Sequence, residues 1–413
     1  VRRLVVAVAG IVLGTTLAAP AGPAVAAAKP GDATNYQVDA THTGLAPGPA
    51  LPNTMRRLWF KDFGMETSYP LIVGNRVFVA SREKKAGAVP PGPVYVYAFA
   101  KRTGRQLWRS TGMGGDMSTA TLAYGSGRLI VVNDWDPFED KHSGIQSLDP
   151  ATGKVLWKRK LVAPRYATIT HSADKPVTVR GGVAYVNFFR FGDNYLAIDV
   201  VTGKVKWANY GTNDGALGQA VTSNRVFYAS TCNWAAWTLA GKQAWRDDFG
   251  CSGGVGGTTS VVADNRLWIH ESLYSSWVAD ARNGKLLFRF ISDSVPTIVG
   301  KTTFLTPDAP SAPYEVSLQA VNSATGAKLW SHRPAGDTYG QIIGPPIATS
   351  KVVYVTTSQG WVLGYNTATG KQVWKGHAGG TINPQSDHLT NEGSAIGGGV
   401  LAVSATNRLA VFG

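Results

Sequence analysis

The chain has 413 residues, of which 44% are hydrophobic and 10% aromatic, which excludes a disordered chain. Charged residues are only 16%, while Gly accounts for 48 positions and Trp for 13, so many short strands joined by turns are expected and an all-β fold is indicated. The formal charge of +14 is diffuse, densest only at Arg82, Lys84 and Lys85 around Glu83, which excludes the clustered basic stripe of a nucleic-acid binder.

Residues 1–28 read as a signal peptide. Arg2 and Arg3 form the charged region and an apolar run extends from Leu4 to about Leu17. Ala24-Val25-Ala26 and Ala26-Ala27-Ala28 offer small-residue cleavage sites, and Val1 reads as a start residue from an alternative codon. Cleavage removes Arg2 and Arg3 and takes the charge from +14 to +12. An uncleaved signal anchor is the alternative, although the Pro and Gly of positions 19–23 interrupt the apolar stretch. No Cys stands at the cleavage region to carry a lipid, and no later apolar run approaches the roughly 18 residues of a membrane span. The expected product is a soluble exported monomer with one domain, residues 29–413.

Downstream, one unit repeats. Its clearest copy is Ser147-Leu148-Asp149-Pro150-Ala151-Thr152-Gly153-Lys154-Val155-Leu156-Trp157, and in chain order the copies span 98–108, 147–157, 197–207, 236–245, 278–288, 320–330 and 364–374. Each closes on an aromatic: Trp108, Trp157, Trp207, Trp245, Phe288, Trp330 and Trp374; Trp59 is an eighth without a Thr-Gly turn before it. The unit predicts a hairpin. A strand ends at Asp or Asn, whose side chain accepts backbone N–H groups ahead of it; Gly turns the chain at positive φ, and the next strand carries the aromatic. A second strand pair precedes each copy, for example around Leu71–Val73 and Arg76 onward, so each unit of about 40–50 residues holds four strands, the period of a propeller blade. After Trp374 the chain supplies three strands and stops, and the strand bearing Trp59 supplies the fourth. The expected fold is an eight-bladed β-propeller of four-stranded antiparallel blades, its N-terminal strand closing the C-terminal blade.

These residues resemble the pyrroloquinoline-quinone-type (PQQ-like) β-propeller repeat family, whose blades carry Ala-x-Asp-x-x-Thr-Gly-x-x-x-Trp. The resemblance covers about residues 33–413, with an opening segment near 33–53 that includes Asn35-Tyr36-Gln37-Val38-Asp39 and His42-Thr43-Gly44. It implies that the eight aromatics dock blade to blade. It also implies that function lies on the face opposite the Thr-Gly hairpins, where the family's enzymes hold their quinone.

On that face the richest loop contains Trp135, Asp136 and Phe138, aromatics among carboxylates that can stack on a sugar or peptide or fold onto the rim. Arg165, Tyr166 and His171 occupy the next long loop. No His or Cys spacing makes a metal site. Cys232 and Cys251 fall on one face of one unit and, in an exported chain, predict a disulfide. Two functions compete. The first is a non-enzymatic binding or scaffold protein whose partner is a protein or cell-envelope polymer, similar in size to the family's outer-membrane-assembly lipoprotein. Its Ala-rich signal and composition look more like a secreted actinobacterial member. The second is a dehydrogenase of alcohols or sugars that uses PQQ and Ca²⁺, with Asp116, Asp134, Asp193, Asp214, Glu271 and Asp337 as candidate carboxylates. A glycan lyase or hydrolase is a third reading.

Overall fold

A computed structural model describes residues 29–48, 50–82, 92–113, 120–133, 144–161, 175–189, 193–210, 218–229, 233–248, 259–270, 276–307, 316–382 and 393–413. They form eight four-stranded antiparallel sheets and one helical turn, Gly336–Tyr339. The first strands of neighbouring sheets contact one another, for example Leu71–Val73 with Thr121–Gly125 and Ile342–Ala348 with Ser394–Gly397, so first strands converge on an axis and fourth strands form the outer rim. This is the expected eight-bladed propeller. Blade 1 begins at Leu71–Val73 and blade 7 ends at Gln372–His377.

Blade 8 is assembled from both ends of the chain. Its strands Ser394–Gly397, Val400–Ala405 and Arg408–Phe412 take Arg57–Asp62 as the outer fourth, with Trp59 opposite Val411 and Asp62 opposite Arg408. An Asp62–Arg408 ion pair at 2.8 Å closes the far end of this pairing.

The repeated residues explain the blade geometry. In blades 1–7 a small residue lies directly across from the aromatic: Ala98, Ser147, Ala197, Ala236, Ala320 and Gly364 face the six tryptophans, and the larger Val278 faces the smaller Phe288. Immediately beyond that pair the register shifts by a bulge, which turns the chain into the hairpin, headed by Asp or Asn in five blades and by Ala100 and Thr238 in blades 1 and 4. Asp149 Oδ1 accepts from Ala151 N (2.7 Å) and Thr152 N (3.1 Å), and Asp199 repeats this with Val201, Thr202 N and the Thr202 hydroxyl. These bonds favour the ionised form and hold the Asp199 carboxyl below its usual range.

Each Trp then crosses to the next blade's hairpin. Indole Nε1 donates to Lys101 O from Trp59 (2.8 Å), Pro150 O from Trp108 (3.1 Å), Val200 O from Trp157 (3.0 Å), Leu239 O from Trp207 (2.9 Å), Ala281 O from Trp245 (3.1 Å) and Thr367 O from Trp330 (3.1 Å). The ring lies flat on the hairpin glycine. A Cβ at Gly203 would sit 2.8 Å from the Trp157 ring, so glycine is required there for space as well as for its φ of +69°. Blade 8 lacks the hairpin because its outer strand comes from elsewhere in the chain, and Trp374 donates instead to Met55 O (3.0 Å), at the approach to that strand. The eight aromatics therefore dock blades, as the family resemblance implied.

Candidate functional site

Eight blades leave an axial channel, and the opening segment occupies one end of it. Residues 31–46 travel once around the axis and bond to every blade in turn. Gly31 O accepts from Gly398 N of blade 8 (3.0 Å), and Ala33 exchanges both backbone bonds with Ile72 of blade 1 (2.8 and 2.9 Å). Thr34 O accepts from Tyr124 N of blade 2 (2.7 Å). The Asn35 amide then imitates a strand residue, accepting from Val179 N (2.7 Å) and donating to Val179 O (3.3 Å) of blade 3. Ala40 O, Thr41 O and Thr43 O accept from Val221 N (2.6 Å), Val262 N (2.9 Å) and Ile298 N (2.8 Å) of blades 4, 5 and 6. Ala46 N and Gly44 O complete the circuit with Ala348 of blade 7, both at 2.8 Å.

Such a tight path needs unusual backbone. Gln37, Val38 and His42 have φ of +50°, +74° and +59°. For a β-branched residue such as Val38 that region costs on the order of 1–3 kcal/mol and persists only where surroundings over-determine it. Here they do: Val38 and His42 are fully buried, and Asp39 accepts from Thr41 N (2.7 Å) and from the hydroxyls of Thr41 and Thr43. The segment lies at the hairpin face, because Asp32 accepts from Gly74 N (3.0 Å) in the turn between the first two strands of blade 1. Sequence reading recognised residues 35–44 as an opening segment but missed the strap. The available signal was a polar Asn-Tyr-Gln-Val-Asp-Ala-Thr-His-Thr-Gly run that fits no blade strand.

His42 is the pivot of the strap. Nδ1 lies 3.1 Å from Ser260 O of blade 5 and Nε2 3.0 Å from the Thr178 hydroxyl of blade 3, which in turn sits 2.8 Å from Gln219 O at the start of blade 4. Burial lowers its pKa to about 4, so the ring is neutral at pH 7 and Nδ1–H donates to Ser260 O, while the Thr178 hydroxyl proton is shared between Nε2 and Gln219 O. The neighbouring described side chains of the first strands, Thr178, Gln219, Ser260 and Thr297, are buried and neutral. They suit hydrogen bonding. Ca²⁺ takes oxygen ligands that usually include carboxylates, and a quinone bearing carboxylates needs cations, so this end of the axis does not fit either group.

Trp135, Asp136, Phe138, Arg165, Tyr166, His171, Cys232 and Cys251 all lie outside the described residues, as do the side chains of Asp116, Asp134, Asp193, Asp214, Glu271 and Asp337. Asn133 and Gly144, on either side of the first loop in sequence, are paired ends of the second and third strands of blade 2, at the face opposite the hairpins. Among the described residues no group of three or more His, Cys, Asp or Glu comes together, and no helix is long and apolar enough to cross a membrane.

At the rim, exposed apolar side chains concentrate on two adjoining blades: Leu286 (47%), Leu287 (48%) and Ile291 (64%) of blade 5 and Leu329 (54%) of blade 6. A shallower groove of about 460 Å³ is lined by Met113, Gln146, Leu156 and Trp157 between blades 1 and 2.

Comparison with known proteins agrees with this architecture. Tetrathionate hydrolase of Acidithiobacillus ferrooxidans is 22% identical over 334 residues, 71% of this chain, and the match spans 65% of the length of that relative. The quinohemoprotein alcohol dehydrogenase of Comamonas testosteroni superposes with a TM-score of 0.66 at 12% identity, covering 94% of this chain and 81% of that one. BamB of Moraxella catarrhalis superposes with a TM-score of 0.60 at 15% identity, covering 87% and 97%. These structural likenesses show the fold. The family model described as outer membrane protein assembly factor BamB matches residues 93–233 and 235–412, more than half of the sequence, and the chain belongs to that family of PQQ-like β-propellers.

Proposed function

We propose that this chain is an exported, non-enzymatic binding or scaffold propeller that acts at the cell envelope or outside the cell and holds a protein or envelope polymer. The observation that carries the reading is the strap. One segment bonded to all eight blades makes the ring a fixed platform, closed at the hairpin face, and leaves the opposite loops and the outer rim as contact surface. The family match to an assembly factor supports the same reading, and so does the sequence of residues 1–28, which carries the pattern of a cleaved signal peptide. On this reading Trp135 and Phe138 supply large contact area and Asp136 orientation, and Arg165, Tyr166 and His171 of the next long loop in sequence contribute to the same binding.

The test takes the secreted protein, whose N-terminus mass spectrometry should place at Ala27 or Lys29. Trp135→Ala with Phe138→Ala should weaken retention of the envelope partner in a cross-linking pull-down while the thermal midpoint holds. Dye-linked oxidation of an alcohol or sugar after addition of PQQ and Ca²⁺ would overturn the proposal in favour of a dehydrogenase.

A further inference from the structure

We propose that the outer edge of blade 5, strand Leu286–Phe290, is a docking edge that takes an extended, acidic and apolar segment of a partner protein as a fifth strand. This deepens the platform reading, on which it rests, by naming the surface and the kind of partner.

Every blade of a propeller ends in an edge strand, and proteins protect such edges with charge. The described edges each hold at least one charge and at most one exposed large apolar side chain, with one departure. Blade 2 carries Lys158, Arg159 and Lys160, and blade 4 carries Arg246, Asp247 and Asp248. Phe60, half exposed in blade 8, lies under the Arg57 guanidinium at 4.9 Å. Leu286–Phe290 reads Leu-Leu-Phe-Arg-Phe, with a single charge, two exposed leucines and exposed Ile291 just beyond. No described residue pairs with its outer side. A Cβ added at Gly326 of blade 6 would sit 3.6 Å from the Phe288 ring, and exposed Leu329 follows three residues later, so the apolar strip continues onto the next rim.

Charge decides the occupant. Exposed Lys285, Arg289 and Lys328 lie on or next to the strip, and Asp293 is the acid nearest in sequence to the strand. Pairing with a second copy would bring these cations together across the junction of two chains of formal charge +12 after cleavage, by subtraction of Arg2 and Arg3 from +14, which opposes it. An extended segment that alternates acidic and apolar residues would satisfy the open backbone groups, cover the leucines and pair with the cations.

The test uses the purified protein and a fluorescein-labelled peptide of about seven residues alternating glutamate and valine, followed by anisotropy. It should bind about tenfold or more tightly than the lysine–valine peptide, and N-methylation of alternate peptide amides should abolish binding. Leu287→Ser with Ile291→Ser, which removes the apolar area without adding charge, should weaken binding by about tenfold with an unchanged thermal midpoint. Equal binding of the N-methylated peptide, or no effect of the double variant, would overturn the proposal. So would a dimer in sedimentation that the same variant dissolves, since the occupant would then be a second copy. Trp135→Ala with Phe138→Ala should leave peptide affinity unchanged, which separates failure at this edge from failure of the loop surface.

Discussion

His42→Gln provides a direct measure of how far the strap holds the ring. The imidazole is fully buried and bridges Ser260 O of blade 5 to Thr178 of blade 3, and burial lowers its pKa from 6.5 to about 4. His270 is likewise buried, bonded to Ser292 O, with its pKa lowered to about 4. In the unfolded chain both rings titrate near 6.5, so between pH 6.5 and 4 the unfolded state binds more protons than the folded one. Stability is therefore fully present above pH 6.5, falls as pH drops through the window, and loses no more to these groups below pH 4. Each ring contributes a slope of about 1.4 kcal/mol per pH unit, on the order of 3 kcal/mol across the window. Glutamine keeps a donor and an acceptor without a proton to gain, so His42→Gln should flatten the dependence, leaving the contributions of His270 and of half-buried His332, whose pKa burial also lowers. Bonds to Thr202 and Val201 depress the Asp199 carboxyl, and the Arg282 guanidinium holds Asp280 down at about 2. Their contributions are lost only as pH falls through the carboxylate range, beneath the histidine window. The assay is the urea midpoint of both proteins at pH 4.5, 5.5, 6.5 and 7.5. Identical slopes would refute the assignment of a neutral, buried His42 as a structural bridge.

Three further outcomes follow from the ring. Deleting residues 54–61 removes the outer strand of blade 8 together with the Met55 acceptor of Trp374, and should yield aggregating protein by light scattering; an unchanged thermal midpoint would contradict closure by that strand. Phe288→Trp alone should lower the midpoint by crowding Val278, whereas the pair with Val278→Ala should recover it, because that pair restores the small residue across from Trp seen in six other blades; equal effects with and without Val278→Ala would show that the two positions are uncoupled. Cys232 and Cys251, 19 residues apart by subtraction, should be joined in the exported protein and contribute about 3 kcal/mol; two alkylatable thiols in unreduced, denatured protein would overturn the bridge.

The propeller was legible because its determinants are local and repeated. Asp149, Gly153 and Trp157 form a hairpin, a left-handed turn and a docking ring within eleven residues, and seven recurrences leave little freedom in the fold. The closing strand was legible for a related reason: blade 8 lacked a partner and Trp59 lacked a hairpin. The strap was not legible. Its bonds run from residues 31–46 to positions as far along the chain as Gly398, and most use backbone atoms, which leave no mark on residue type. Asp32, Asn35, Gln37 and His42 also act through side chains, and none has a periodic neighbour to give it away.

The departures of blade 5 show how a repeat exposes what its average conceals. Phe288 replaces the tryptophan that elsewhere donates to the neighbouring hairpin, and Val278 replaces the small residue across from it, so the two changes compensate in volume and the blade keeps its docking contact without an indole hydrogen bond. Leu286 and Leu287 have no such compensation. Burying either would gain about 1.5–3 kcal/mol, and leaving both in water beside an open backbone edge forgoes that gain and adds an aggregation hazard. Packing within the ring accounts for Phe288, because its ring rests on Gly326; it does not account for the leucines, whose side chains face solvent. Single exposed leucines before the closing aromatic recur at Leu156 and Leu329, so what sets this edge apart is the pair Leu286 and Leu287 with Ile291 beyond, ringed by Lys285, Arg289 and Lys328, and that is the surface on which the proposed partner strand would gain most.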